Sequence, residues 1–234
     1  MKHPLARRVA AEFLGTGFLV AAVVGSGVMG ERLSNGNVAL ALLCNSIATG
    51  AVLVALILTF GSVSGAHFNP VVTLSDAIEK GIHWNEVPAY IAAQVLGGIC
   101  GTVAAHLMFG LPVVSISHHH RSGVAQVFSE FIATFGLLSV IWGCSRLQST
   151  AMPFAVGAYI TAAYWFTAST SFANPAATIS RSLSDTFAGI RPQNVLPFIL
   201  AQTLGGLAAT FAFRSLVPDL SVQAKKVLLR HSVE

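Results

Sequence analysis

Charge is what this chain has least of. Its 234 residues include 13 Lys and Arg and 9 Asp and Glu, so 9% of the chain is charged. A soluble globular domain carries about 25%. With 54% hydrophobic residues and a mean hydropathy of +0.71, most of the surface is suited to lipid rather than water. Cysteine is scarce too. Cys44, Cys100 and Cys144 show no Cys-x-x-Cys spacing, which argues against a redox pair or thiol metal clip and leaves them as small apolar residues. No nucleophile, base and orienting group occur together, and no phosphate-binding loop is present, so no enzyme, cofactor or resident metal is indicated.

What the chain does have is length of apolar sequence. A spanning helix needs about 20 mostly apolar residues. Six stretches qualify, at roughly 8–29, 38–60, 87–109, 123–145, 151–168 and 195–217, the fifth being short. Residues 10–29 are long enough to span, so no cleaved leader is expected. Segments 69–79 and 175–186 are too short and too polar to cross, and are assigned as re-entrant half-helices. The expected fold is all-α, with six transmembrane helices and two half-helices.

Six spans put both termini on one side. That side holds Lys2, Arg7, Arg8, Lys80, Arg146, Arg214, Lys225, Lys226 and Arg230; the other holds Arg32, Arg121, Arg181 and Arg191. The bias places both termini in the cytoplasm and the protein in the plasma (inner) membrane. It also accounts for the pI near 9.3 without nucleic acid. The tail, 218–234, either touches anionic lipid or is simply solvated.

The halves repeat each other. Ala11-Glu12-Phe13-Leu14-Gly15-Thr16 matches Ser129-Glu130-Phe131-Ile132-Ala133-Thr134; Asn69-Pro70 matches Asn174-Pro175; Ala93-Gln94-Val95-Leu96-Gly97-Gly98 matches Ala201-Gln202-Thr203-Leu204-Gly205-Gly206. The two repeats run over 7–110 and 120–217 of a single domain, 1–234. Three spans per repeat is an odd number, so the second repeat is inverted and the half-helices enter from opposite faces. Asn is a strong N-cap and Pro suits the first helical position. The two N-termini, each equivalent to about +0.5 charge, therefore meet near the midplane. Asn69 and Asn174 offer amide N–H donors there, a site for small neutral solutes that excludes H⁺.

Glu12 and Glu130 occupy matching places. Re-entrant loops leave backbone N–H groups without partners at several kcal/mol each, and one carboxylate per half can accept from them. Proton carriage by these carboxylates, as in a proton-coupled secondary transporter, is the reading of another class. Gly15, Gly17, Gly25, Gly27, Gly97, Gly98, Gly101, Gly205 and Gly206 suit close helix crossings. Trp84 and Trp142 are expected near membrane edges. His118-His119-His120 are expected in an exposed loop, since consecutive histidines do not all face one ion in relaxed geometry.

Glu12-Phe13-Leu14-Gly15-Thr16, Ser64-Gly65-Ala66-His67-Phe68-Asn69-Pro70-Val71-Val72-Thr73 and Phe172-Ala173-Asn174-Pro175-Ala176 resemble the major intrinsic protein family, the aquaporins and aquaglyceroporins. The resemblance implies a six-span bundle with a pore in each protomer of a homotetramer. It places His67, Asn69, Pro70, Val71, Asn174, Pro175 and Ala176 along the pore. It further implies that His67 lines the cytoplasmic side of the pore, where its backbone carbonyl accepts from the solute.

The departures from that pattern concern selectivity. The family usually has Arg directly after the second motif; here Ala177 stands there, and Thr178 stands where glycerol channels have Asp. Val71 replaces the usual Ala of the first motif. Counting from the motifs puts the other filter positions at Thr49, Ala162 and Ser171, and a loop-length change would shift Ala162 towards Tyr159 or Tyr164. All four are small, so the outer constriction is expected to be wide. Arg181, one turn beyond Ala177, either carries positive charge into the vestibule or binds Asp185. Residues 171–190 resemble bacterial members associated with arsenic resistance. That resemblance implies arsenous acid or methylated arsenicals, with glycerol and water, as permeants; an ordinary water or glycerol channel is the alternative.

Overall fold

The computed structural model describes residues 3–147 and 150–216, with only the main chain of Arg146 and Leu147; the expected tail at 218–234 lies outside them. Among these residues eight helices follow in order: α1 Leu5–Leu33, α2 Val38–Ser64, α3 Pro70–Ile78, α4 Val87–Met108, α5 Val124–Leu147, α6 Met152–Phe166, α7 Pro175–Arg181 and α8 Pro192–Leu216. No strand occurs among the described residues.

Five of these helices, α1, α2, α4, α5 and α8, are long and apolar enough to cross a membrane. The sixth crossing, α6, has 15 residues. At ~1.5 Å per residue it is shorter than the ~30 Å hydrocarbon core. The chain beyond it, Thr167 to Ala173, is non-helical and largely buried in protein, where irregular backbone is tolerated.

Both half-helices start as the sequence dictates. Asn69 and Asn174 hold extended backbone (φ −153° and −157°) and cap α3 and α7 through their side-chain oxygens, with Pro at the first helical position. The second is shorter than the expected 175–186, because α7 ends at Arg181. The serines that follow compete with helical bonding. Ser182 Oγ donates to Ile179 O (2.7 Å) and Ser184 Oγ pairs with Thr186 Oγ1 (2.9 Å). The carbonyls of Ser182 and Leu183 then accept from Ser117 and Ser115 N–H.

The two halves pack alike. α1 lies on α4, α5 lies on α8, and α2 meets α6 across the bundle; α3 and α7 touch one another and both touch α4 and α8. Gly97 and Gly205 make the close approaches possible. A methyl added at Gly97 would strike the carbonyl of Phe13, and one at Gly205 that of Phe131. These are backbone atoms of the neighbouring helix, which have little freedom to move away.

Val71 also finds its space in a glycine. Its Cγ1 occupies the room that a side chain at Gly206 would need. Trp142 is not an edge anchor: it is fully buried, its indole donating to Thr210 Oγ1 at 3.2 Å. Trp84, by contrast, is exposed. Ion pairs fasten the bundle at Arg8–Glu86 (α1 to the start of α4) and Arg214–Glu79 (α8 to the end of α3).

Candidate functional site

The half-helices border a cavity of about 80 Å³, several times the ~10–15 Å³ needed for one water. Asn69 and Asn174 both line it. Asn69 Nδ2 donates to Ala173 O at 2.7 Å, and Asn174 Nδ2 donates to Phe68 O at 2.8 Å. Each Asn oxygen meanwhile accepts from its own helix, Val71 N–H in one case and Ala176 and Ala177 N–H in the other. A carboxamide has two N–H donors. One from each Asn is thus spent on the opposite loop, and one remains for the lumen.

The loops ahead of these caps have unusual backbone. Ala66 and Phe68 have φ of 50°, and Ser171 and Ala173 have φ of 50° and 48°. Non-glycine residues rarely adopt this left-handed region. The carbonyls of Ala66, His67, Ser171 and Phe172 accept no hydrogen bond among the described residues, and all four residues line the cavity.

The carboxylates hold these loops in place. Glu12 accepts from His67 N–H (2.9 Å), Phe68 N–H (2.7 Å), Ser64 Oγ (2.7 Å) and Gln94 Nε2 (2.8 Å). Glu130 accepts from Phe172 N–H (2.9 Å), Ala173 N–H (2.8 Å) and Gln202 Nε2 (2.6 Å). Each glutamine also donates to a half-helix threonine, Gln94 to Thr73 and Gln202 to Thr178, both at 2.9 Å. The glutamines lie inside the repeated motif, but their task was not read from the sequence. Donor geometry was the missing information.

Four of the expected pore residues are buried elsewhere. Pro70, Val71, Pro175 and Ala176 do not line the cavity. At the first two positions of each half-helix, side chains turn into the protein; Asn and the residue three further on, Val72 or Ala177, share the luminal face. His67 does line the cavity. Its ring lies 3.1 Å from Thr73 Oγ1 and 3.5 Å from the buried carboxylate of Asp76, which sequence reasoning did not single out.

At the opposite end, Thr49, Ser171 and Ala177 line the cavity, and Ala162 does not. Ala162 is exposed on the outer face of α6. Tyr164 takes its place in the lining. Two residues are about 200° apart around a helix, so a count wrong by two selects the wrong face. The cavity lining here is therefore not made of four small residues. Thr49 Oγ1 donates to Asn45 O at 2.8 Å, so in the 3.1 Å contact between Thr49 and Tyr164 the phenol is the donor.

Arg181 also lines the cavity and is 2% exposed. It does not bind Asp185, which accepts instead from the backbone N–H and Nδ1 of His118. Its guanidinium carbon lies 3.3 Å from the centroid of the Phe172 ring, and its Nε donates to Ala188 O at 2.5 Å. Arg121, unmarked by any motif, sits on the same ring at 4.9 Å and donates to Gly189 O, Ser169 O, Thr170 Oγ1 and Phe187 O. Burial, together with Arg121 and Arg181 close by, holds His119 below the usual imidazole range. The three loop histidines diverge: His118 faces Asp185 and His120 faces Arg191.

A multi-pass helical membrane protein with two opposed half-helices bordering one lumen is a channel, not an enzyme. The chain belongs to the major intrinsic protein family, whose model matches residues 1–148. It is 52% identical over 213 residues to the aquaglyceroporin AqpS of Rhizobium meliloti (strain 1021), covering 91% of both chains. It is 32% identical to aquaporin NIP1-1 of Oryza sativa subsp. japonica, over 90% of this chain and 74% of that one. The fold matches the X-ray structure of the aquaglyceroporin from Plasmodium falciparum with a TM-score of 0.76 at 21% identity, covering 94% of this chain and all of that chain.

Proposed function

We propose that the protein is a passive pore for small uncharged hydroxylated solutes, conducting metalloid hydroxides such as arsenous acid, or methylated arsenicals, together with glycerol and water. One observation carries this reading: Ala177, where the family usually has Arg, borders the lumen beside Thr49 and Ser171. A guanidinium at that position would add bulk and a permanent charge. Arsenous acid is a neutral trihydroxide near pH 7 and presents hydroxyls much as a polyol does. The carbonyls of Ala66, His67, Ser171 and Phe172 suit hydroxyl donors, and the spare N–H groups of Asn69 and Asn174 suit their oxygens. The opposite wall, including Leu19, Val23, Leu53 and Ile57, offers a charged ion no replacement for its hydration shell.

Glu12 and Glu130 act in this reading as fixed acceptors for the loops. Their oxygens are occupied by donors from two or three segments, which speaks against proton carriage. The charge bias across the six crossings supports cytoplasmic termini in the plasma membrane. Outward-facing apolar side chains such as Phe18, Leu58 and Phe211 suit lipid and the neighbouring protomers of a homotetramer, the assembly that the family resemblance implies.

Tyr164 favours a second reading, an ordinary glycerol or water channel, because its ring narrows the mouth that Ala177 widens. Stopped-flow swelling of proteoliposomes in water, glycerol and arsenite gradients separates the two. Arsenite entry well above that of empty vesicles supports the metalloid pore. Glycerol or water flux with arsenite at the empty-vesicle rate overturns it in favour of the second reading.

A further inference from the structure

Arg181 has five N–H groups and spends one, on Ala188 O. Among the described residues no carboxylate pairs with it. Glu130 is occupied by Phe172, Ala173 and Gln202, and Asp185 is turned to His118. The neighbouring Arg121, in contrast, is supplied with four acceptors. The ring of Phe172 attracts the guanidinium of Arg181 through its π face, yet it provides no hydrogen-bond acceptor.

A second donor stands at the same end of the lumen. Ser171 Oγ is buried with no partner among the described residues, and Ser171 lines the cavity with Arg181. The phenol of Tyr164 is not available in this way, because its hydrogen goes to Thr49 Oγ1. The unspent donors are thus the Nη groups of Arg181 and the Ser171 hydroxyl.

Taking the cavity to be the pore, we infer that its outer end is a binding site for a small singly charged oxyanion of the carboxylate type, held by the Nη groups of Arg181 and the hydroxyl of Ser171. The Glu130 charge acts on Arg181, but its oxygens are taken by other donors and leave the remaining guanidinium N–H groups without acceptors. A neutral hydroxyl accepts one hydrogen bond, whereas a monoanion accepts charge-assisted bonds from both Nη groups. A planar carboxylate fits the guanidinium fork with two parallel bonds. The cavity lining also includes the apolar Leu137, Ile141, Val156 and Ile160, which give an anion no further ligands. The anion therefore rests at the mouth and competes there with neutral solutes.

The test is calorimetric titration of sodium formate into the purified full-length protein at pH 7. Sodium gluconate at equal ionic strength, too large for the cavity, serves as the reference. Saturable formate binding is expected, weakened about tenfold or more by Arg181→Gln, which removes the charge-assisted bonds. Arg181→Lys, which keeps the charge and loses the fork, should fall between, and Ser171→Ala should weaken binding by a smaller factor. No saturable heat beyond gluconate, or equal affinity in wild type, Arg181→Gln, Arg181→Lys and Ser171→Ala, overturns the site. Glycerol and arsenite flux is measured on the same preparations. Flux without formate binding removes the anion site alone, and formate binding without flux removes the solute assignment alone.

Discussion

Tyr164 donates its phenolic hydrogen to Thr49 Oγ1 at 3.1 Å, joining α6 to α2 at one end of the cavity. Tyr164→Ala removes the ring from the lining. Flux of solutes larger than glycerol should rise relative to water flux in vesicle-swelling measurements. Tyr164→Phe keeps the ring and loses one buried hydrogen bond, about 1 kcal/mol, so its permeability ratios should stay near wild type while its melting temperature falls.

Ala177→Arg should have the opposite effect. It places a guanidinium on the luminal face, one turn from Arg181. Glycerol and arsenite flux should fall by about an order of magnitude for each 1.4 kcal/mol of added barrier, with water flux largely kept. Equal reduction of all three in stopped-flow traces would mean that this position is not the outer constriction.

Gln94→Leu and Gln202→Leu each remove a donor shared between a carboxylate and a half-helix threonine. A destabilisation of about 1–3 kcal/mol per site is expected from the buried acceptors left without it. The two variants should behave alike in thermal unfolding of the solubilised protein, because the two clusters are built alike. Solute flux is expected to be insensitive to an imposed pH gradient in wild type and in both variants. Gradient-driven accumulation would instead make Glu12 and Glu130 proton carriers.

Gly97→Val and Gly205→Val should be poorly tolerated. The added side chain meets the carbonyl of Phe13 or Phe131, and forcing the helices apart costs about 1–3 kcal/mol or more. Loss of monodisperse protein in size-exclusion chromatography is the readout.

The ion pair of Arg8 with Glu86 gives a pH dependence with a definite sign. The side-chain bond from Arg8 holds the Glu86 carboxyl below its ordinary value of 4.5. A depressed carboxyl contributes stability above the unfolded-state pKa and loses it as pH falls through the native one. Wild type should therefore lose stability below about pH 4.5 more steeply than Glu86→Gln, as followed by melting temperature against pH.

The parts legible in the sequence were those fixed by local chemistry. Asn69-Pro70 and Asn174-Pro175 specify an N-cap and a first helical residue, and both half-helices begin there. The periodic apolar runs mark the long spans for the same reason. Tyr164 stood only as an alternative to Ala162 because counting back from Asn174 assumes a loop length, and the non-helical stretch after Phe166 changes that count. Arg121 was missed because four main-chain and hydroxyl acceptors from distant segments make its site, and no neighbouring residue announces them. The shorter α7 follows from serines whose hydroxyls bond locally, Ser182 back to Ile179 O and Ser184 on to Thr186, a competition that composition alone leaves undecided.

In the proposed pore the acceptors are main-chain carbonyls, those of Ala66, His67, Ser171 and Phe172. A point mutation can change the side chains of those residues but cannot delete their oxygens. The interior of such a pore is thereby insulated from most side-chain substitutions, and under this reading selectivity is set by the few positions at its mouth. Members of such a lineage can diverge in what they admit while sharing one unaltered passage.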